Sequence, residues 1–196
     1  MAVIGYDYYI VPTIIFNKPF GVLSQFTGEG TGYPTLKDFI DVPNVYAAGR
    51  LDRDSEGLLL LTDDGSLVKR LTDPKHHAEK TYWVLVEGEP TQEALRCLRN
   101  GIQFKAYQTR PAKVRIIPDP GLPPRSKPVT PHGPAVWLEM KLREGKKRQI
   151  RHMTAAVQLF TLRLVRVAIG PIQLGNLKLG EWRELTSRET KTLRSF

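Results

Sequence analysis

Four consecutive leucines, Leu58 to Leu61, stand between two acidic clusters in the stretch DRDSEGLLLLTDDG, Asp52 to Gly65. An alternating, half-exposed strand has no place for four apolar residues in a row, so the run predicts a strand buried on both faces, inside a sheet covered on either side. The acids then fall in the turns at its two ends. Asp63-Asp64-Gly65 is turn chemistry, with Asp64 placed to cap a helix starting near Ser66. The first cluster is denser: Arg50, Asp52, Arg53, Asp54, Ser55 and Glu56 crowd charge between two apolar segments, which is costly unless the charges are paired or face a partner. Three readings compete for it: a calcium loop, a solvated turn, or a catalytic carboxylate on the lip of a cleft.

The calcium reading has the right spacing, with Asp52, Asp54 and Glu56 at positions 1, 3 and 5, Gly57 at 6 and Asp63 at 12. It fails on context. The lead-in DVPNVYAAGR carries Pro43 and Gly49 and reads as a strand where a helix is required, and LLLL supplies no side-chain oxygen. Other metal chemistry has little to build on. Cys97 is the single cysteine, and His76 with His77, His132 and His152 show no ligand spacing. Neither a metal nor a cofactor is expected.

Strand candidates are Thr13–Phe16, Val45–Ala48, Leu58–Leu61, Tyr82–Glu87, Ala112–Ile117, Val136–Leu142 and Thr161–Val167. Helix candidates are Thr35–Ile40, Ser66–Leu71, Gln92–Asn100 with Thr91 as N-cap and Gly101 as stop, Arg148–Gln158, and a tail helix from Ser187 opened by the capping box Thr186 to Glu189. Strands outnumber helices without regular interleaving. That pattern predicts an α+β fold on a mixed, mostly antiparallel sheet. The stretch Pro118 to Pro134, with seven prolines, excludes helix and central strand and reads as a mobile solvated connector. The chain start lacks a secretory signal, and no segment approaches a membrane span; a soluble, cytoplasmic monomer of one domain over residues 1–196 is expected.

Net charge is +9, and its distribution says more than its size. Residues 1–98 hold 9 Lys and Arg against 14 Asp and Glu, a net of −5, whereas residues 99–196 hold 20 against 6, a net of +14. A half that basic suits either a solvated surface or a polyanionic partner such as nucleic acid. The segment KLREGKKRQIRHM, Lys141 to Met153, holds six of these cations. Basic residues at the start of a helix oppose its dipole, which fits phosphate binding better than a bland surface. Arg163 and Arg166 follow in TLRLVRVAIG, expected in different environments from Leu162, Leu164 and Val167.

Taken together, GRLDRDSEGLLLLTDDG, KTYWVLVEG, EGKKRQIRHM and LRLVRVAIG resemble, in family order, the pseudouridine synthases that act on ribosomal RNA, in their small-subunit synthase A branch. Within the branch the likeness is to forms without an N-terminal RNA-binding domain of the S4 type, acting on large-subunit 23S rRNA. The resemblance runs from Ile14 to Thr186. It implies the pseudouridine synthase fold, two fused subdomains around a cleft, and isomerisation of a flipped-out uridine without a cofactor. It also implies roles: Asp52 as catalytic carboxylate, Arg151 as the cation that keeps it ionised, and Tyr82 as the aromatic against the target base and proton acceptor at C5. Arg50 matches a residue that fills the space of the flipped base, and Lys18, Arg53, Lys80, Lys146, Arg148 and Arg166 are candidates for phosphate contact. Gly49 and Gly57 are expected to permit a tight backbone around the loop. A non-catalytic RNA-binding protein of the same ancestry and a nucleosidase pairing Asp52 with Asp54 or Glu56 are the rival readings.

Overall fold

The computed structural model describes residues 12–195 except 29, 74, 76 and 77, so the His76–His77 pair and the chain start lie outside the described residues. Among the described residues nine strands form one sheet: β1 (Ile14–Lys18), β2 (Tyr46–Ala47), β3 (Glu56–Thr62), β4 (Lys80–Glu87), β5 (Lys113–Ile117), β6 (Ala135–Leu142), β7 (Phe160–Ile169), β8 (Ile172–Gln173) and β9 (Trp182–Glu184). Their order is β5-β6-β4-β7-β3-β1-β9, with β2 on β3 and β8 on β7. Among these pairings β3–β7 alone is parallel, and it is short, joining Glu56 to Val165 and Gly57 to Arg166. The expected α+β architecture is what the chain adopts. Four α-helices accompany it among the described residues: α1 (Gly65–Thr72), α2 (Gln92–Asn100), α3 (Gln149–Ala156) and α4 (Ser187–Ser195).

Local chemistry explains the ends of these elements. The Asp64 carboxylate accepts the Ser66 and Leu67 amides and starts α1; the Thr91 hydroxyl accepts the Ala94 amide and starts α2. Thr186 and Glu189 form the capping box of α4, each side chain accepting the other's amide. The leucine run is central: every residue of β3 is buried, with Leu58 and Leu60 in one apolar cluster and Leu59 and Leu61 in another on the opposite face. Gly57 shows why the chain cannot carry a side chain where the two halves meet. Its φ is +97°, and a Cβ there would stand 2.3 Å from the Arg166 carbonyl oxygen.

Three expectations are corrected, and a fourth is narrowed. The segment Thr35–Ile40 is only a single 3-10 turn, Leu36–Asp38. Arg148, expected as the first residue of a helix, is not in α3 but stands at its N-cap with a left-handed backbone, φ +51°. Arg163 and Arg166 are buried together with Leu164 and Val165, because this regular middle part of β7 lies between β4 and β3 and is covered on both faces. The proline-rich stretch is docked too: the Arg125 side chain is 9% exposed, lies over the Phe20 ring and reaches Glu56 at 3.9 Å, while the Pro123 carbonyl accepts from Arg163. Those contacts anchor the middle of a stretch that is otherwise the exposed connector foreseen from composition.

Candidate active site

The loop from Gly49 to Ser55 crosses the top of the sheet just before β3, and its backbone is pinned from below. Ser24 Oγ donates to the Leu51 carbonyl at 2.8 Å and accepts the Leu51 amide at 3.1 Å, both buried. The Arg53 carbonyl accepts the Gly21 amide at 2.8 Å, and the Ser55 amide donates to the Asp52 carbonyl at 3.0 Å. Under this loop Lys18 is completely buried, its Nζ donating to the carbonyls of Pro19, Val22 and Arg53. Burial pushes its pKa down to about 7 against the pull of Glu56 and Asp54. Lys18 therefore cannot serve as the phosphate contact expected of it; it holds the loop's shape.

Above the loop lies a half-open cleft of about 630 Å³. Asp52, Arg50 and Arg53 line one wall, Lys146, Lys147 and Arg148 the other, and Lys80, Tyr82 and Arg166 the floor on β4 and β7. Eight of the ten residues singled out from the sequence thus meet around one space; Lys18 and Arg151 do not line it. Arg166 is another correction. It is 4% exposed with Nε donating to the Leu58 carbonyl, so it is held as part of the cleft floor instead of reaching out to an exposed phosphate. Beside it Lys80 has its pKa lowered to about 8, by burial first and by the Arg166 charge second.

The ionic pairing also differs from expectation. Arg148 makes a bidentate pair with Asp54, at 2.9 and 3.0 Å, and Arg151 reaches the Asp54 carboxylate at 3.3 Å and its carbonyl at 2.8 Å. Arg151 was expected on Asp52; the second Arg151 nitrogen instead donates to the Thr161 carbonyl, anchoring it to β7. Burial would raise the Asp54 carboxyl, but the Arg148 hydrogen bonds and the Arg151 charge hold it below the ordinary carboxylate range. Burial lowers Arg151, partly countered by Asp54 and, more weakly, by Asp52. The Asp54–Arg148 pair joins the two walls directly above α3. The carboxylates that mimicked a calcium loop, Asp54 and Glu56, are both taken by arginines.

Two residues absent from the sequence-based set fix the basic wall. Glu144, the single acid of the basic segment, is buried and accepts the Arg110 amide and the Gln149 side chain. Gln149 in turn accepts the Lys146 amide at 2.9 Å. A lone acid and an amide inside a cationic run were the available signal for a structural clamp.

Comparison with known proteins shows the family. The model of one family, described as RNA pseudouridylate synthase, matches residues 12–156. The chain is 53% identical over 175 residues to ribosomal large subunit pseudouridine synthase E of Vibrio vulnificus, covering 88% of this chain and 74% of that protein. It is 52% identical over 185 residues to the protein of the same name from Xanthomonas campestris, covering 92% and 99%. A crystal structure of a pseudouridylate synthase superposes with a TM-score of 0.78 at 33% identity, covering 93% of this chain and 73% of that one.

Proposed function

Because the chain belongs to the RNA pseudouridylate synthase family, and is a pseudouridine synthase, we propose that it converts one specific uridine of large-subunit 23S rRNA to pseudouridine with Asp52 as catalytic carboxylate. The observation that carries this reading is the shared cleft: Asp52 and Tyr82 open onto one space whose walls bring Arg50, Arg53, Lys146, Lys147 and Arg148 around it. Its volume of about 630 Å³ is within the ~300–1,000 Å³ of ligand pockets and suits one extruded nucleotide. Cations at that density favour a polyanion over a small neutral sugar.

Isomerisation breaks the bond from N1 to C1′, turns the uracil and joins C5 to C1′, with no net oxidation and no group donated. The Asp52 carboxylate meets the anomeric carbon, as nucleophile or as the anion facing an oxocarbenium-like centre. The departing N1 takes the bonding electron pair, C5 then bonds to C1′ as any bond from Asp52 to C1′ breaks, and the C5 proton passes to a base, the role assigned to Tyr82, while N1 takes up a proton, so that the product is an isomer of the substrate. Arg151, fixed between Asp54 and the Thr161 carbonyl, keeps positive charge behind the loop that carries Asp52. Arg50 fills the space of the flipped base, its flat guanidinium suited to stacking.

Incubation with an rRNA transcript, scoring pseudouridine against released uracil, tests the reading. Wild type is expected to yield pseudouridine, and Asp52→Asn and Asp52→Ala none, with RNA affinity within a few-fold. Free uracil as product, or substantial turnover by either variant, overturns it.

A further inference from the structure

Between β1 and the 3-10 turn the chain makes a glycine-rich loop, TGEGTGYPT, whose conformation is built and not incidental. Its base is closed by two backbone hydrogen bonds, from the Leu23 amide to the Pro34 carbonyl and from the Leu36 amide to the Gln25 carbonyl, both 2.9 Å. Inside it the Thr31 hydroxyl and amide both donate to the Gly28 carbonyl, and the Tyr33 amide donates to the Thr31 hydroxyl. Gly30 and Gly32 take left-handed backbone angles, φ +75° and +67°, that a side chain would disfavour. The result is that Tyr33, 48% exposed, is carried to the active-site loop.

There the Arg53 guanidinium carbon lies 3.9 Å from the centre of the Tyr33 ring. Arg53 lines the cleft one residue from Asp52, its own carbonyl is held by Gly21 and Lys18, and among the described residues no carboxylate pairs with it. A guanidinium backed on one side by an aromatic face and open on the other is a flat cationic surface on which a base can stack. RNA needs such a surface at this place. Extruding a uridine takes a stacking partner from each neighbouring base, and the neighbour enters next to the residue that attacks the sugar.

We propose that Tyr33 and Arg53 form a stacking platform for the nucleobase next to the target uridine, Arg53 making the contact and Tyr33 acting as its positioning residue. The inference rests on the reading of the substrate as RNA given above. The platform governs how the RNA is held, not the bond-making step, so its loss is read in KM.

Steady-state kinetics on an rRNA transcript decide it, with Tyr33→Ala, Tyr33→Phe, Arg53→Lys and Arg53→Ala compared with wild type. Tyr33→Ala and Arg53→Lys are expected to raise KM about tenfold, the scale of one lost base-stacking contact, with kcat within twofold. Tyr33→Phe keeps the ring and restores the wild-type KM. Thermal midpoints unchanged in all four show that the chain still folds. A Tyr33→Ala enzyme with wild-type KM overturns the platform, as does an Arg53→Lys enzyme with wild-type KM beside an impaired Arg53→Ala, which would mark Arg53 as a simple phosphate cation. Wild type that makes no pseudouridine in any rRNA fails at the earlier reading, and the platform falls with it.

Discussion

Asp54 and Glu56 stand two residues apart, and each is met by two arginines from the basic half of the chain, yet the two clusters do different work. Glu56 is the first residue of β3 and is 1% exposed; Arg163 binds it bidentately at 2.9 and 2.8 Å, and Arg125 approaches at 3.9 Å from the proline-rich loop. Asp54 lies in the loop ahead of the strand with its side chain 31% exposed, and its partners Arg148 and Arg151 belong to the start of α3 beside the cleft. The inner cluster ties the proline-rich loop to the sheet, and the outer one ties the basic wall to the loop that carries Asp52. Part of the charge asymmetry that pointed to RNA is therefore spent inside the molecule, joining an acidic half to a basic one.

Removing one partner of the inner cluster is expected to have the largest effect. Glu56→Ala leaves Arg163 with an uncompensated buried charge and should lower unfolding stability by about 3–5 kcal/mol in denaturant titration. Replacing both partners, Glu56→Leu with Arg163→Met, should recover most of it, since an apolar pair of similar volume avoids the desolvation cost. A loss below ~1 kcal/mol in the single variant would place Glu56 with the exposed pairs and erase the contrast.

Lys18 lies beneath both acids and comes next. Lys18→Met deprives three carbonyls of a donor and should cost about 1–3 kcal/mol while leaving the salt dependence of RNA binding unchanged, because the residue touches no phosphate. Its pH signature has a definite sign. Burial lowers the folded pKa to about 7 from 10.5, so between those values the unfolded chain binds more protons. The contribution of Lys18 to stability therefore rises from about pH 7 upward, and that rise should vanish in Lys18→Met. A wild-type chain whose pH dependence matched the variant's would show that Lys18 is not desolvated.

The outer cluster should respond in rate more than in stability. Asp54→Asn keeps the shape but removes the charge that gathers Arg148 and Arg151, and the partly exposed pairing is worth under about 1 kcal/mol in folding. Single-turnover isomerisation is expected to slow about tenfold as both cations lose their alignment. Stability loss comparable with Glu56→Ala, with an unchanged rate, would make the two clusters equivalent.

Much of this was legible in the sequence where one local rule decided the outcome. The double-faced burial of Leu58 to Leu61, the Asp64 and Thr91 caps and the Thr186 capping box follow from composition and spacing within a few residues, and all stand as read. The gathering of Asp52 and Tyr82 on one cleft came from motif resemblance, which carries three-dimensional information that periodicity lacks. What failed was pairing and depth. Whether Lys18 faces solvent or the underside of a loop, and whether Arg151 chooses Asp52 or Asp54, depend on contacts across 35 to 97 positions of chain that no local pattern encodes. The depth of β7 is similar: Arg163 and Arg166 are buried because β4 and β3 flank that part of the strand, a neighbourhood its own pattern does not encode. Tyr33 went unnoticed because its importance is a contact with Arg53, not a feature of its own segment.

The smallest effect tests where the inner, structural use of charge ends and the outer use begins. Lys80 sits on the cleft floor, half-buried beside Arg166, with its pKa lowered to about 8 by burial and then by that arginine. Below that pH it is a cation available to RNA; above it, a neutral amine. RNA affinity is expected to fall a few-fold between pH 7 and 9, with the salt-dependence slope shrinking by about 0.9, the share of a single phosphate contact. Folding stability moves the other way over the same range, since the unfolded lysine still holds its proton and stability rises with pH wherever the unfolded state binds more. Opposite signs from one titration separate Lys80 from Lys18, whose ionisation changes stability but touches no RNA. Lys80→Met should flatten the binding curve and remove the Lys80 share of the stability rise, leaving the share of Lys18. If binding stays pH-independent in the wild type while stability still rises, Lys80 belongs with Lys18 in the frame of the molecule, and the cationic surface that meets RNA begins one layer above it.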